Sequence, residues 1–266
     1  MDYDATANEY LKMVNPIGWR RDLDIRPLAI FASLHPRQET LTEVYHGEIA
    51  HHEISNDGQM SIHKTFEHPN PHPILRKYSA GSFAINSALW ERHINETYPS
   101  EKILNDIKSL DATLPVHNLQ KNLVVYSGVE RSPAYLAGME WNSTRSKKIL
   151  TLPAFTSTST SISKSIGFAN RDEITAHHDS DHHGIILPNS KHILAMHLVA
   201  GRPYQLTSMR KISNAPYENE ILLDRHMNFE LHPRPEQIGH NPNNPVYLWH
   251  AHNGDSSPFK ESFKSI

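Results

Sequence analysis

Apolar residues recur every three or four positions in two segments in the first half of the chain. In residues 74–94 (ILRKYSAGSFAINSALWERHI) and again in residues 100–114 (SEKILNDIKSLDATL), they form one face of a helix. Ser100 stands where an N-cap is expected, and Leu114-Pro115 ends the second segment because the residue before a proline disfavours helical backbone. The pattern therefore predicts two helices.

Shorter apolar runs, of the length and composition of strands, dominate the second half. One short helix is expected among them, at residues 161–169 (SISKSIGFA). Helices first and strands afterwards predict an α+β fold rather than a doubly wound sheet. The predicted strands lie in 122–128 (NLVVYSG), 149–159 (ILTLPAFTSTS), 184–188 (GIILP), 192–201 (HILAMHLVAG), 218–223 (ENEILL) and 228–232 (NFELH).

Changes in composition divide the chain into three parts. Residues 1–70 form an N-terminal extension that is partly β, with strand-like segments from Ile25 to Ile62, and the proline-broken stretch HPNPHP marks its end. Residues 71–232 form the core. Residues 233–266, rich in Pro, Asn, His and Ser, are expected to form a loosely packed tail in which VYLWH (246–250) docks as an edge strand.

Composition excludes several classes of function. A formal charge of −3 gives no electrostatic reason to expect direct nucleic-acid binding or an anionic membrane as partner. The absence of cysteine excludes thiol chemistry. The first residues, MDYDATANEYLKMVNP, are acidic and lack the apolar core of a signal peptide, and no apolar run has the length of a spanning helix. The expected location is cytoplasmic, in the producing cell or in a target cell.

Two polar motifs carry the candidate chemistry. In a strand, Glu218 and Glu220 would point to the same face, and two neighbouring carboxylates tend to raise the pKa of one of them. The hydroxyl run of residues 156–161 could orient a carboxylate or a ligand. Taken singly, the acid pair also fits a solvent-facing strand edge, and the hydroxyl run also fits a loop that caps the helix beginning near Ser161.

The order of the motifs is more specific than any one of them. Tyr126-Ser127-Gly128 ends a strand, Phe155-Thr156-Ser157-Thr158-Ser159 precedes a short helix, and Glu218-Asn219-Glu220 begins an apolar strand. In this order the chain resembles the mono-ADP-ribosyltransferases of the bacterial-toxin type over residues 74–232, with the phage Alt/Mod enzymes as the most similar group. The resemblance implies two small packed β-sheets flanked by helices around an NAD cleft.

The resemblance also implies roles for the acid pair. Glu220 would be the catalytic carboxylate at the ribose of NAD, Ser157 would hold it in place, and Glu218 would deprotonate an acceptor arginine. Members of the family with Gln at the position of Glu218 tend to modify other residues. NAD would be a substrate, no metal is expected, and the partner would be a host protein that meets the segment LTSMRKISNAPY (206–217). The protein could act in a host cytoplasm and be carried in a virion.

A larger set of residues would bind NAD in this interpretation, with the backbone of Gly128 facing the nicotinamide amide. Ser127 departs from the family pattern, which has an arginine there to bind the NAD phosphates. Serine cannot neutralise a pyrophosphate, so Arg131, or else Arg76, would replace that arginine. The expected NAD-binding residues are Tyr126, Ser127, Gly128, Arg131, Phe155, Thr158, Ser159 and Phe168.

The histidine-rich stretch His177–His183 allows two interpretations. His and Asp are suitable metal ligands, but nothing in the spacing fixes a geometry, and a solvated loop fits equally. Protonated histidines there could also supplement the missing arginine. Three alternative functions remain open at this point: an NAD glycohydrolase on the same fold, a catalytically weakened binding protein, and a structural or virion-associated protein.

Overall fold

A computed structural model shows how these segments pack. The helices are α1 (Asn56–Thr65), α2 (Pro73–Ala80), α3 (Phe83–Asn95), α4 (Glu101–Thr113) and α5 (Ile162–Phe168). The strands are β1 (Val116–Asn118), β2 (Leu123–Val129), β3 (Ile149–Leu152), β4 (Thr156–Ser159), β5 (Arg171–Asp172), β6 (His178–Asp179), β7 (Gly184–Ile185), β8 (Ser190–Leu198), β9 (Pro203–Ser208), β10 (Glu220–Leu223), β11 (Met227–Leu231), β12 (Glu236–Gly239) and β13 (Val246–Asn253). The structure describes residues 53–96, 98–129, 149–169, 171–172, 178–179, 184–185, 190–232, 235–239 and 245–253.

The predicted α+β class is confirmed, and so are most of the helices. α4 begins after Ser100, and the apolar face of the helix buries Ile107 and Leu110 before the helix ends at Thr113, with Leu114 as its C-cap. Among the described residues, no helix combines the length and the apolar character needed to cross a membrane.

Two helical segments differ from expectation. The single helix predicted over residues 74–94 is divided, because α2 ends at the C-cap Gly81 and α3 begins after the N-cap Ser82. The strand-like pattern predicted as far as Ile62 is wrong for residues 56–62. There the Ser55 hydroxyl accepts a hydrogen bond from the Gly58 amide at 3.2 Å and starts α1.

The sheet consists of two halves that share one residue pair. In the described part of the chain, β1, β9, β10 and β4 form one half, and β2, β8, β13, β11 and β3 form the other. Between the halves, β2 and β4 are paired only at Tyr126 and Ser159. The two small sheets expected from the resemblance are therefore joined edge to edge at this position, and the strands diverge beyond it.

The C-terminal segment is the clearest topological correction. β13 pairs along its whole length with β8 in parallel, and it pairs on its other side with β11 and β12. Trp249 lies on this strand with no exposed surface. The predicted edge strand in a loose tail is therefore wrong for residues 246–253, which occupy the middle of the sheet. Burying a side chain as large as Trp249 contributes about 2–3 kcal/mol to folding, enough to fix the strand there.

Candidate active site

A cleft opens where β2 and β4 diverge. Its volume, counted out to open solvent, is about 860 Å³, within the range of small-molecule and cofactor sites. The junction of α2 and α3, residues 78–83, forms one wall of the cleft. Nine of the predicted site residues line the cleft: Tyr126, Ser127, Gly128, Ser157, Thr158, Ser159, Phe168, Glu218 and Glu220.

The predicted contact between the acid pair and the hydroxyl run is present. The Ser157 hydroxyl donates a hydrogen bond of 2.6 Å to Oε1 of Glu220. The sheet register explains this contact: Ser157 is opposite Leu222 and Ser159 is opposite Glu220, so Ser157 and Glu220 are diagonal neighbours on one face. The short distance is typical of a hydroxyl bonded to an ionised carboxylate.

Glu220 is poised to change charge near neutral pH. Its pKa is raised to about 7, chiefly because burial removes water from the carboxylate. The hydrogen bond from Ser157 lowers the pKa, and the nearby charge of Glu218 raises it. The sequence predicts a raised pKa from repulsion within the acid pair, but loss of hydration is the larger cause.

Glu218 and Glu220 reach the cleft by a different route from the one predicted. Glu218 ends a 3₁₀ turn (Pro216–Glu218), and the strand begins only at Glu220. Asn219, between them, has left-handed backbone with φ 51° and ψ 45°. The alternation of a regular strand therefore does not relate the two carboxylates, and the turn at Asn219 brings both of them to the cleft.

Comparison with known proteins identifies this arrangement. The family model described as ADP-ribosyltransferase exoenzyme matches residues 61–244. This chain belongs to the ADP-ribosyltransferase exoenzyme family. Members of this family transfer ADP-ribose and use NAD as the substrate, which confirms the expected NAD-dependent ADP-ribosylation.

Solved structures of bacterial ADP-ribosyltransferases share this fold. An ADP-ribosyltransferase from Clostridium botulinum is 18% identical with a TM-score of 0.51, and the match covers 75% of this chain and 98% of that chain. The C3 exoenzyme from Clostridium limosum is 17% identical with a TM-score of 0.50, covering 75% of this chain and 96% of that chain. At these identities the likeness establishes the fold alone. Among curated proteins, none matches the sequence.

Three of the hydroxyl groups predicted to bind NAD instead donate hydrogen bonds to backbone carbonyls of the protein. Thr158 Oγ1 donates to the Ile221 carbonyl and Ser159 Oγ donates to the Glu218 carbonyl, both at 2.7 Å. Ser127 Oγ donates to the Ser157 carbonyl at 3.2 Å and so links the diverging strands β2 and β4. The bonds from Thr158 and Ser159 fix the strand that begins at Glu220 and the turn that ends at Glu218. In the described lining, none of the residues is Lys or Arg.

Phe155 does not contact the cleft, contrary to prediction. Its side chain is 1% exposed and packs edge-to-face on Tyr78, with ring centroids 6.0 Å apart. Its carbonyl oxygen accepts hydrogen bonds from the Tyr78 hydroxyl at 3.2 Å and from Asn86 Nδ2 at 3.1 Å. Phe155 therefore anchors the start of β4 to α2 and α3 and lies outside the ligand-facing wall.

Gly128 is glycine because a helix approaches it. A Cβ atom at this position would lie 2.3 Å from the Ser165 carbonyl oxygen and 2.5 Å from the Ala169 nitrogen. The missing side chain lets α5 pack against β2, whereas close approach of the nicotinamide was the predicted reason. The helix in turn presents Ser165 and Phe168 to the cleft.

The α2–α3 junction is a part of the cleft wall that the sequence interpretation missed. The helical pattern assigns Tyr78 only to an apolar face, yet Tyr78 lines the cleft, and burial raises its pKa. The signal was present in the sequence: Gly81-Ser82 inside a helical pattern is a C-cap followed by an N-cap. Arg76 is exposed on α2 and is not part of the lining.

Some predicted site residues cannot be placed relative to the cleft. Arg131 lies outside the described residues, as do His177 and residues 180–183. Of the histidine-rich stretch, the backbone of His178–Asp179 pairs with Gly184–Ile185. Within the described ranges, no group of three metal-ligating side chains lies close together.

Proposed function

We propose that this enzyme transfers ADP-ribose from NAD to an arginine of a target protein, with Glu220, Ser157 and Glu218 as its catalytic residues. The observation that carries the proposal is the 2.6 Å hydrogen bond from Ser157 to Glu220 in a cleft that Glu218 also lines. Ser157 and Glu220 lie on strands paired in register, so the carboxylate is held before substrate arrives.

In this mechanism the glycosidic bond between ribose C1′ and the nicotinamide nitrogen breaks, and nicotinamide leaves with the bonding electrons. Positive charge develops on the ribose, and the Glu220 carboxylate stabilises that charge. A guanidinium nitrogen of the acceptor then bonds to C1′ and loses a proton to Glu218. The half-buried position of Glu220 strengthens its interaction with the ribose because few waters compete with it.

The preference for arginine rests on Glu218. A carboxylate can pair with a guanidinium in a bidentate arrangement and accept its proton, which an amide at this position could not do. Glu218 is half-buried at the cleft, and its backbone is fixed by the Ser159 hydroxyl. A greater similarity to the phage Alt/Mod enzymes, a host target, cytoplasmic action and virion carriage remain predictions.

The pyrophosphate of NAD requires positive charge that the described lining does not supply. We assign this role to Arg131, as the sequence predicts. Arg131→Ala should then raise the KM for NAD at unchanged protein stability, with Arg76→Ala as the matched control. Equal KM values for Arg131→Ala and the parent enzyme would show that Arg131 does not bind the pyrophosphate of NAD.

Labelled NAD tests the proposed function directly. The enzyme is incubated with adenylate-labelled NAD and either a cell lysate or a small guanidine compound such as agmatine. Glu220→Gln should abolish both nicotinamide release and label transfer. Glu218→Gln should retain nicotinamide release and lose transfer to the guanidine. Glu101→Gln, an exposed carboxylate at the start of α4, is the control and should retain both activities.

Three outcomes would contradict the proposal. Nicotinamide release without label on any acceptor would indicate an NAD glycohydrolase. Neither reaction in the parent enzyme would indicate a binding or structural role. Equal loss of both reactions in Glu218→Gln would show that this residue does not act on the acceptor.

A further inference from the structure

A polar face of α1 lies directly against the turn that carries the acid pair. Gln59 and His63 are one helical turn apart, and each is 4% exposed. Buried polar side chains are stable only when they are hydrogen-bonded, so the partners of these two residues are fixed features of the fold. One of those partners, Asn219, stands between the two carboxylates that line the cleft, although the motifs of the family do not include α1.

Gln59 contacts the residue between the two carboxylates. Its amide oxygen accepts a hydrogen bond from Asn219 Nδ2 at 2.6 Å. Its amide nitrogen donates to Oε1 of Glu53 at 2.9 Å and to the Ile54 carbonyl at 2.7 Å. Because a carboxylate and a carbonyl only accept hydrogen bonds, the Gln59 nitrogen must face them, and its oxygen must face Asn219.

His63 braces the other side of the same turn. One ring nitrogen is 2.8 Å from the Ser208 hydroxyl and the other is 3.1 Å from the Thr160 hydroxyl. The Thr160 amide donates to the Asn219 carbonyl at 3.1 Å. Asn219 is thus held through its side chain by Gln59 and through its backbone by a residue that His63 contacts.

Glu53 extends this bracing to α5. Its Oε2 accepts from the Ser163 amide at 3.0 Å and from the Ser163 hydroxyl at 2.8 Å, at the start of α5. The far end of α5 lines the cleft. The segment from Glu53 to His63 therefore ties the acid turn to α5.

The left-handed backbone at Asn219 sets the direction of Glu218 relative to Glu220. We propose that Gln59 is a positioning residue that acts through Asn219 on Glu218 and thereby favours transfer to an acceptor over hydrolysis of NAD. The inference rests on the proposed function, since it requires Glu218 to serve the acceptor. Glu220 is held independently by Ser157, so splitting NAD should depend little on Gln59.

The test compares transfer with hydrolysis in the chain of residues 1–266. Gln59→Ala, Asn219→Gly and the double variant are assayed for nicotinamide release and for label transfer to agmatine, with the KM of each substrate. Glycine keeps the left-handed conformation at 219 while removing the side-chain contact. Lys64→Ala, an exposed change on the same helix, is the matched control.

Gln59→Ala should lower the ratio of transfer to hydrolysis by roughly tenfold, because displacing a catalytic group by about 1 Å can cost up to 100-fold in rate. Asn219→Gly should lower the ratio similarly, and the double variant should be no worse than either single variant. Hydrolysis and the KM for NAD should stay near the parent values in both single variants. Gln59→Ala should lower the melting temperature, because removing a buried side chain leaves its hydrogen-bond partners unpaired, and Lys64→Ala should match the parent throughout.

An unchanged ratio in a folded Gln59→Ala protein, or losses that multiply in the double variant, would overturn the inference. If Gln59→Ala does not fold, an unchanged ratio in Asn219→Gly overturns it instead. Glu218→Gln separates this failure from failure of the proposed function. If Glu218→Gln lowers the ratio and Gln59→Ala does not, only the role of Gln59 is wrong. If neither lowers it, the assignment of Glu218 to the acceptor is wrong as well.

Discussion

Ser157→Ala tests the central contact of the site through the pH dependence of catalysis. The substitution removes the 2.6 Å hydrogen bond to Glu220 and leaves the strand pairing of β4 with β10 in place. A hydrogen bond to a carboxylate favours its charged form, so removing the bond raises the pKa of Glu220. The proposed mechanism requires the charged form, and the variant should therefore lose activity at neutral pH and recover it in alkali.

The size of the effect follows from the hydrogen bond. A bond to a charged group contributes about 1.5–3 kcal/mol, which would raise the pKa of Glu220 from about 7 to about 8–9. At pH 7.5 the ionised fraction would fall from about three quarters to between about a quarter and 3%. The kcat/KM for NAD should then fall about 3- to 25-fold at pH 7.5 and approach the parent value near pH 9.5.

The assay is nicotinamide release measured across pH 5.5–9.5 for the parent, Ser157→Ala and Ser157→Thr. Threonine keeps the hydroxyl and suits an exposed position on a strand, so its profile should match that of the parent. A loss in Ser157→Ala that is the same at every pH, with an unchanged midpoint, would refute this account of Ser157. It would indicate that Ser157 contacts the substrate instead of tuning Glu220.

Three further predictions concern stability and can be measured by urea or thermal unfolding. The folded pKa of Glu220, about 7, lies above its ordinary 4.5, so the stability of the protein falls as pH rises from 4.5 to 7. Glu220→Gln should therefore raise the free energy of unfolding by about 3 kcal/mol at pH 8 and change it little at pH 4. No gain at pH 8 would contradict the buried charge. The pH dependence that His63 gives to stability runs in the opposite direction. Its folded pKa of about 4 lies below the ordinary 6.5, so stability is lost as pH falls from 6.5 to 4. His63→Gln should reduce that loss. An unchanged acid dependence would argue against a buried neutral His63. Gly128→Ala should lower the free energy of unfolding by at least about 1–3 kcal/mol, because its Cβ would meet the backbone of α5. Gly167→Ala, with open space around it, should raise that free energy by roughly 0.5–1 kcal/mol. Equal effects of the two substitutions would show that α5 can move to make room at Gly128.

Much of the fold could be predicted because the signals are short-range. The apolar face and the cap position of α4, and the apolar run of β2, depend on residues within a few turns or positions of one another. The order of three motifs was sufficient to predict the family, and the contact between Ser157 and Glu220 followed from it. The spacing of apolar residues failed at Gly81, because one continuous helix and two successive helices show the same spacing. The structure has two helices where one was predicted.

Only the tertiary structure decided the features that depend on distant partners. Asn219 and Gln59 are 160 positions apart, and nothing near the acid pair indicates that its turn is left-handed and held by α1. β13 shows the same limit: an apolar run near the C-terminus fits an edge or a centre equally, and its pairing with β8 selects the centre. Residue type and spacing thus determined which groups are candidates for the chemistry. Contacts between distant segments determined where those groups point, because backbone direction at a turn is set by whatever packs against it.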